Sequence, residues 1–108
     1  MFEIKNITII GLGLIGGSLA IALKRAGFHI TGVDLDSTNL ELALKLKAVD
    51  QVTKNVESGV SNADLVVLAT PVGQMIKIAR AISPHLKKNC LITDVGSCKS
   101  QIVEALEP

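Results

Sequence analysis

Residues 7–26, ITIIGLGLIGGSLAIALKRA, constrain this chain more than any other stretch. Four consecutive β-formers at 7–10 run into glycines at 11, 13 and 16, and residues 18–26 continue in helix-forming Ala and Leu. The pattern predicts a strand, a glycine turn and a helix, with the glycines spaced G-x-G-x-x-G. Gly11 allows a tight turn out of the strand, and Gly13 leaves room for backbone to approach a pyrophosphate. Gly16 lets the helix pack closely against the strand. The amides around Leu14, Ile15 and Gly16 then face the phosphates, with the helix dipole behind them.

A lone glycine motif is a weak signal, and a second feature strengthens it. The next apolar run, residues 30–33, ends in Asp34, which lies 18 residues beyond Gly16. An acidic residue about 20 positions on is the one that meets the adenosine ribose hydroxyls. A carboxylate accepts two hydroxyls and repels a 2′-phosphate, so Asp34 points to NAD rather than NADP.

The same stretch is uncharged from 7 to 23, as a membrane span or a signal-peptide core would be. As a helix rising ~1.5 Å per residue it would reach about 25 Å, short of the ~30 Å hydrocarbon core. Its glycines fall at the turn, and beyond Lys5 no basic region precedes it. A soluble domain is expected.

With 108 residues the chain is one domain, large enough for a core. Its net charge is +1, without a basic run, and only Phe2 and Phe28 are aromatic. These features argue against nucleic acid or an anionic membrane as partner. Cys90 and Cys98 flank an apolar run expected to be a strand, too far apart for a disulfide. They form no zinc pattern with other Cys or His, and the expectation is reduced thiols in a cytoplasmic protein.

Taken in order, the sequence predicts strands over residues 5–10, 29–34, 50–53, 64–70 and 91–94. Helices are expected over 14–26, from about 37, over 75–86 and over 100–106, with a short helical turn inside the polar connection 54–63. T-x-x-E at 38–41 is a capping-box pattern, and Asp36 or Ser37 could cap the second helix instead. Leu40, Ala43 and Leu44 form its expected buried stripe; Ile78, Ala79 and Ile82 face inward on the next helix, which stops or bends before Pro84. Alternating strands and helices with right-handed crossovers give an open, doubly wound, mainly parallel α/β sheet in the order 3-2-1-4-5. Ligands of such sheets lie beyond the carboxyl ends of the strands, at the switch between β1 and β4. The informative segments are therefore 11–16, 34–36, 70–72 and 95–99.

Those segments carry a resemblance. GLGLIGGSLA at 11–20, GVDLD at 32–36, ADLVVLATPV at 63–72 and TDVGSCKS at 93–100 together resemble the amino-terminal domain of the prephenate and arogenate dehydrogenases. The resemblance covers essentially the whole chain, and D-x-G-S-x-K at 94–99 is its most specific part. It implies a Rossmann-type NAD-binding domain, residues 1–108, of a longer two-domain oxidoreductase of tyrosine biosynthesis. That enzyme oxidatively decarboxylates prephenate or arogenate, passing hydride to NAD. The family's catalytic His (in G-G-H-P) and its substrate-binding Arg fall beyond Pro108, as does the helical domain that forms the dimer. His29 and His85 replace neither. The 108-residue chain is expected to bind NAD and to turn over nothing by itself.

The resemblance places Ser97 beside the substrate hydroxyl and the nicotinamide; a helix N-cap calls for the same residue type there. Thr70 and Pro71 close β4 beside the cofactor, Thr70 as a contact or a satisfied strand-end hydroxyl and Pro71 mainly as the end of the strand. Lys99 either aids an anionic substrate or is solvated, and Asp36 borders the adenosine or, preferably, caps the helix. Asp94 is expected to order its loop rather than transfer a proton. Lys47 stands where the family often has Gly, which leaves the left-handed cap of the second helix open. Two other readings remain: the domain of a β-hydroxyacid-type dehydrogenase, which carries G-L-G-x-M-G at this turn, and a non-catalytic NAD/NADH-sensing module.

Overall fold

Strands with apolar residues on both sides make a stable sheet only when helices cover both faces. The computed structural model, which describes residues 3–95, has this arrangement. β1 (Asn6–Ile10), β2 (His29–Val33), β3 (Gln51–Thr53), β4 (Leu65–Leu68) and β5 (Leu91–Asp94) alternate with helices. The helices are α1 (Leu14–Arg25), α2 (Ser37–Lys45), α3 (Val56–Val60) and α4 (Val72–Ile82). All four strand pairings are parallel, in the order β3-β2-β1-β4-β5. This is the expected doubly wound order. The expected helix over 100–106, with Ser97, Cys98 and Lys99, lies outside the described residues.

The sheet divides the core in two. Ile7 and Ile9 of β1 point towards Ala20 of α1 and Leu40 and Ala43 of α2. Ile10 points the other way, joining Val66 and Leu68 of β4, Val60 of α3, and Met75, Ala79 and Ile82 of α4. Period-two alternation therefore feeds two cores, and the strands read as unbroken apolar runs. Thr8 is buried among these residues, and its hydroxyl donates to the Gly59 carbonyl at 2.7 Å.

Helix ends follow local chemistry. Asp36 is the N-cap of α2 and accepts the Thr38 N–H at 2.9 Å, so the helix uses one of the two alternatives to the T-x-x-E pattern at 38–41, and Asp36 takes the capping role preferred for it. At the other end Lys47 adopts φ +57. Its N–H reaches the Leu44 carbonyl at 3.1 Å and the Ala48 N–H reaches the Ala43 carbonyl at 2.9 Å, the bond pair of a Schellman turn. The left-handed cap forms without glycine, at some steric cost. α4 starts at Val72 rather than residue 75, because Pro71 supplies its N-cap with φ −55. It ends at Ile82, and Pro84 lies in the 3₁₀ turn that follows.

One core expectation fails. Leu44 is 46% exposed, while Leu40 and Ala43 are buried. α2 ends one residue later, at Lys45, and it is Ala48 and Val49, beyond the helix, that return to the core.

The amino ends of the strands are tied by two aspartates. Asp64 Oδ2 accepts the N–H groups of Lys5 and Asn6, each at 2.8 Å, and its Oδ1 lies 2.5 Å from the Lys87 ammonium. The Lys87 bond and the two amides hold the Asp64 carboxyl down at about 2. Asp50 repeats the device on β2: Oδ2 accepts the Ile30 N–H at 2.8 Å and Oδ1 takes Lys24 at 2.6 Å. These ties lie at the end of the sheet opposite the switch point.

Candidate functional site

At the carboxyl end of the sheet the chain leaves β1 through Gly11, whose φ is +99. The Gly11 N–H donates to the Val33 carbonyl at 2.7 Å, continuing the pairing with β2. A Cβ here would stand 2.8 Å from the Ala69 carbonyl oxygen, so only glycine passes between the ends of β2 and β4. Gly16, in the first turn of α1, is buried, and a Cβ on it would collide with the carbonyl oxygen of Gly11. Its next obstacle is Ala69 Cβ at 3.1 Å. The close approach expected of Gly16 is thus to the turn and the end of β4 rather than along β1. Gly13 is different: among the described residues nothing lies within 4 Å of an added Cβ. The space over its backbone is open.

Gly13 is also the N-cap of α1; among the described residues no side chain caps this helix, and its first turn carries no acidic residue. The first amides of a helix lack intrahelical acceptors and sit at the positive end of its dipole. Leu14 and Ile15 are 88% and 56% exposed, so this end of the helix lies at the surface.

Asp34 follows β2 and faces the same opening. Its Oδ2 accepts the Leu12 N–H at 2.8 Å and the Asn39 side-chain amide at 3.1 Å, and its Oδ1 accepts the Asp36 N–H at 2.9 Å. Partial burial pushes the carboxyl up, but the donors of Asp36, Leu12, Asn39 and Leu35 outweigh it and hold Asp34 below its ordinary value. It is an anion at neutral pH.

Thr70 closes β4 from the other side. Its Oγ1 is buried and, among the described residues, has no hydrogen-bond partner. A buried hydroxyl without a partner is costly, and such groups generally belong to a network that a bound molecule or water completes. Pro71 is exposed beside it.

A cavity of about 650 Å³ joins these residues, with Gly11, Gly13, Asp34, Thr70 and Pro71 all on its wall. Leu35, Asn39, Asn55, Glu57, Gln74 and Ile78 also line it. A smaller recess of about 360 Å³ lies on the other side of Gly13 and Thr70, between Leu14, Ile15, Val72 and Val95. Leu14 and Ile15 therefore border the recess rather than the main cavity, and Gly16 borders neither. Ser97 lies outside the described residues. The lining residues of α2, α3 and α4 were not legible as site residues. The available signal was position alone, since they lie within two helical turns of a strand end. Among the described residues no cluster of His, Cys, Asp or Glu could hold a metal ion, and no helix is long and apolar enough to cross a membrane.

The family model for the prephenate dehydrogenase nucleotide-binding domain matches residues 19–108. The chain belongs to this family. Curated relatives of these nucleotide-binding domains include the prephenate dehydrogenase of Bacillus subtilis, 40% identical over 96% of the chain and 29% of that protein. The cyclohexadienyl dehydrogenase of Zymomonas mobilis is 39% identical over 99% of the chain and 37% of that protein. The chain therefore spans about a third of the length of these relatives. Among solved structures, the Aquifex aeolicus prephenate dehydrogenase in complex with hydroxyphenyl propionate and NAD+ superposes with a TM-score of 0.87. It is 33% identical and is matched over 97% of this chain and 38% of its own. The Synechocystis arogenate dehydrogenase gives a TM-score of 0.86 at 33% identity, over 93% of this chain and 36% of its own.

Proposed function

We propose that the chain is the NAD-binding part of an oxidoreductase of tyrosine biosynthesis that oxidatively decarboxylates prephenate or arogenate. The observation that carries this reading is the one cavity shared by the open backbone of Gly13, the anionic Asp34 and the Thr70 hydroxyl, which has no partner among the described residues. These residues fit a dinucleotide. The amides of Leu14, Ile15 and Gly16 hold the pyrophosphate, Asp34 accepts from the adenosine ribose, and Leu35 and Ile78 offer apolar walls to the base. The Thr70 hydroxyl gains its missing partner from the ligand, and Pro71 shapes the loop beside it. NAD, when bound, supplies the hydride acceptor for the oxidation. The complex of the Aquifex relative with NAD+ supports this choice of cofactor.

The recess bounded by Leu14, Ile15 and Val95 is the side from which substrate approaches. Ser97 is the residue of this chain proposed to touch the substrate hydroxyl. The catalytic His, the substrate-binding Arg and a homodimer interface are assigned to further chain, and the enzyme to the cytoplasm. The 108 residues alone are then a binding domain without turnover.

Calorimetric titration with NAD+ and NADP+ tests the cofactor. NAD+ should bind, with NADP+ at least tenfold weaker, about 1.4 kcal/mol. A folded chain that ignores NAD+ would remove the reading. A longer protein containing this domain should oxidise prephenate or arogenate with NAD+. Failure on both substrates, with NAD+ still bound, would point to a different dehydrogenase.

A further inference from the structure

We infer that Asn39 is a positioning residue for the ribose-reading carboxylate: it commits one oxygen of Asp34 to the protein and leaves the other open to a ligand hydroxyl. The inference rests on the cofactor reading above and deepens it. Asn39 lies in the first turn of α2, three residues beyond its cap, and is half-buried. It does not cap the helix, because Asp36 does. Its side-chain amide instead reaches Asp34 Oδ2 at 3.1 Å, the same oxygen that takes the Leu12 N–H at 2.8 Å. An ionised carboxylate only accepts, so Asn39 must present its NH₂ to it, and the orientation of the carboxamide follows from chemistry.

A carboxylate oxygen has about two acceptor positions. Two donors therefore fill Oδ2. Oδ1 takes the Asp36 N–H at 2.9 Å, and the Leu35 N–H, the weakest of the four donors that lower Asp34, adds only a minor contact, so Oδ1 is the oxygen that keeps acceptor capacity for a ligand. Asp34 thus meets a ribose with one oriented acceptor instead of a freely turning carboxylate.

Asn39 also stands between two spaces. It lines the 650 Å³ cavity and a separate recess of about 350 Å³ between α1 and α2, bordered by Leu12, Ile21, Leu42 and Leu46. Removing its carboxamide opens Oδ2 to water from that side, and the hydroxyl of a ligand then competes with a hydrated, mobile carboxylate. Ordering the carboxylate in advance removes that cost from binding.

The test measures binding of NAD+ and of its analogue lacking both adenosine ribose hydroxyls, in the wild-type chain and in Asn39→Leu. Asn39→Ala serves as a second variant, and circular dichroism checks that all are folded. Wild type should favour NAD+ over the analogue by about tenfold; in both variants the preference should fall to about threefold or less. A general loosening of α2 would weaken both ligands alike and leave the ratio unchanged, which overturns the inference. A wild type that binds both ligands equally removes ribose reading by Asp34, and Asn39's role with it. A folded wild type that binds neither ligand overturns the cofactor reading as well.

Discussion

At Gly13 an added methyl group meets no atom of the described residues within 4 Å, whereas at Gly16 it runs into the Gly11 carbonyl oxygen. Under the proposed NAD-binding reading, two glycines of one motif separate binding from folding. Gly13→Ala should cost at most about 1 kcal/mol, the difference between Gly and Ala at an N-cap. It should weaken NAD+ by tenfold or more, since the methyl occupies the space kept for the ligand. Gly16→Ala forces backbone apart and should cost about 1–3 kcal/mol or more. Thermal unfolding and NAD+ titration of the two variants read both effects. Thr70 allows a sharper comparison. Thr70→Val removes a buried hydroxyl that has no partner among the described residues and nearly keeps its shape. Stability should be unchanged or rise by about 1 kcal/mol, because an unmet desolvation penalty disappears. NAD+ affinity should fall several-fold in the same protein. Equal affinity in Thr70→Val would detach this hydroxyl from the ligand.

At the scale of elements, strands and helices are joined by side chains that replace missing backbone partners. The Asp64 carboxylate binds the start of β1 by two amides and the α4–β5 connection through Lys87. Its folded pKa of about 2 lies below the 3.8 of an ordinary aspartate, so its stabilisation is fully present above pH 4. That contribution is lost as pH falls from about 4 towards 2. A tenfold change in proton affinity is worth about 1.4 kcal/mol. Reduced because Lys87 is 38% exposed to solvent, the contribution amounts to roughly 1–2 kcal/mol. Asp64→Asn should destabilise the domain at pH 7 and flatten the acid limb of a stability–pH curve between pH 4 and 2. An unchanged acid limb would assign that limb to other carboxylates, of which Asp34 and Asp50 are also lowered.

For the whole molecule, the sheet sets the site at one end and its amino-terminal ties at the other. Chemistry at the switch point can therefore vary without disturbing the ties. Binding energy should appear directly as stability. With NAD+ at a hundred times its Kd, linkage adds about 2.7 kcal/mol. For a domain of this size that corresponds to a rise of roughly 10–20 °C in Tm. A melting curve with and without NAD+ measures it, and no shift at that saturation would contradict selective binding to the folded state.

Most of the architecture was legible in the chain because its signals are local. Four β-formers before a glycine turn, Asp34 after the second apolar run, and alternating strands and helices are short-range patterns. Together they determined the parallel sheet, its order and the position of the switch point. β5 and the starts of α1 and α2 were also readable from composition and caps. What only the tertiary structure decided are the long-range partners of polar groups. Periodicity reports which face is buried, not which amide a carboxylate will meet. Asp64 finds Lys5 and Asn6 across 59 and 58 positions, and Asp34 finds Leu12 across 22. Asn39 and Gln74 reach the cavity only because crossovers bring α2 and α4 to the same end of the sheet. Leu44 is exposed because α2 ends before its last turn can dock, and the obstacle beneath Gly16 is the backbone of its own turn. Each depends on how far apart two segments stand once the core has closed, a distance that no local pattern encodes.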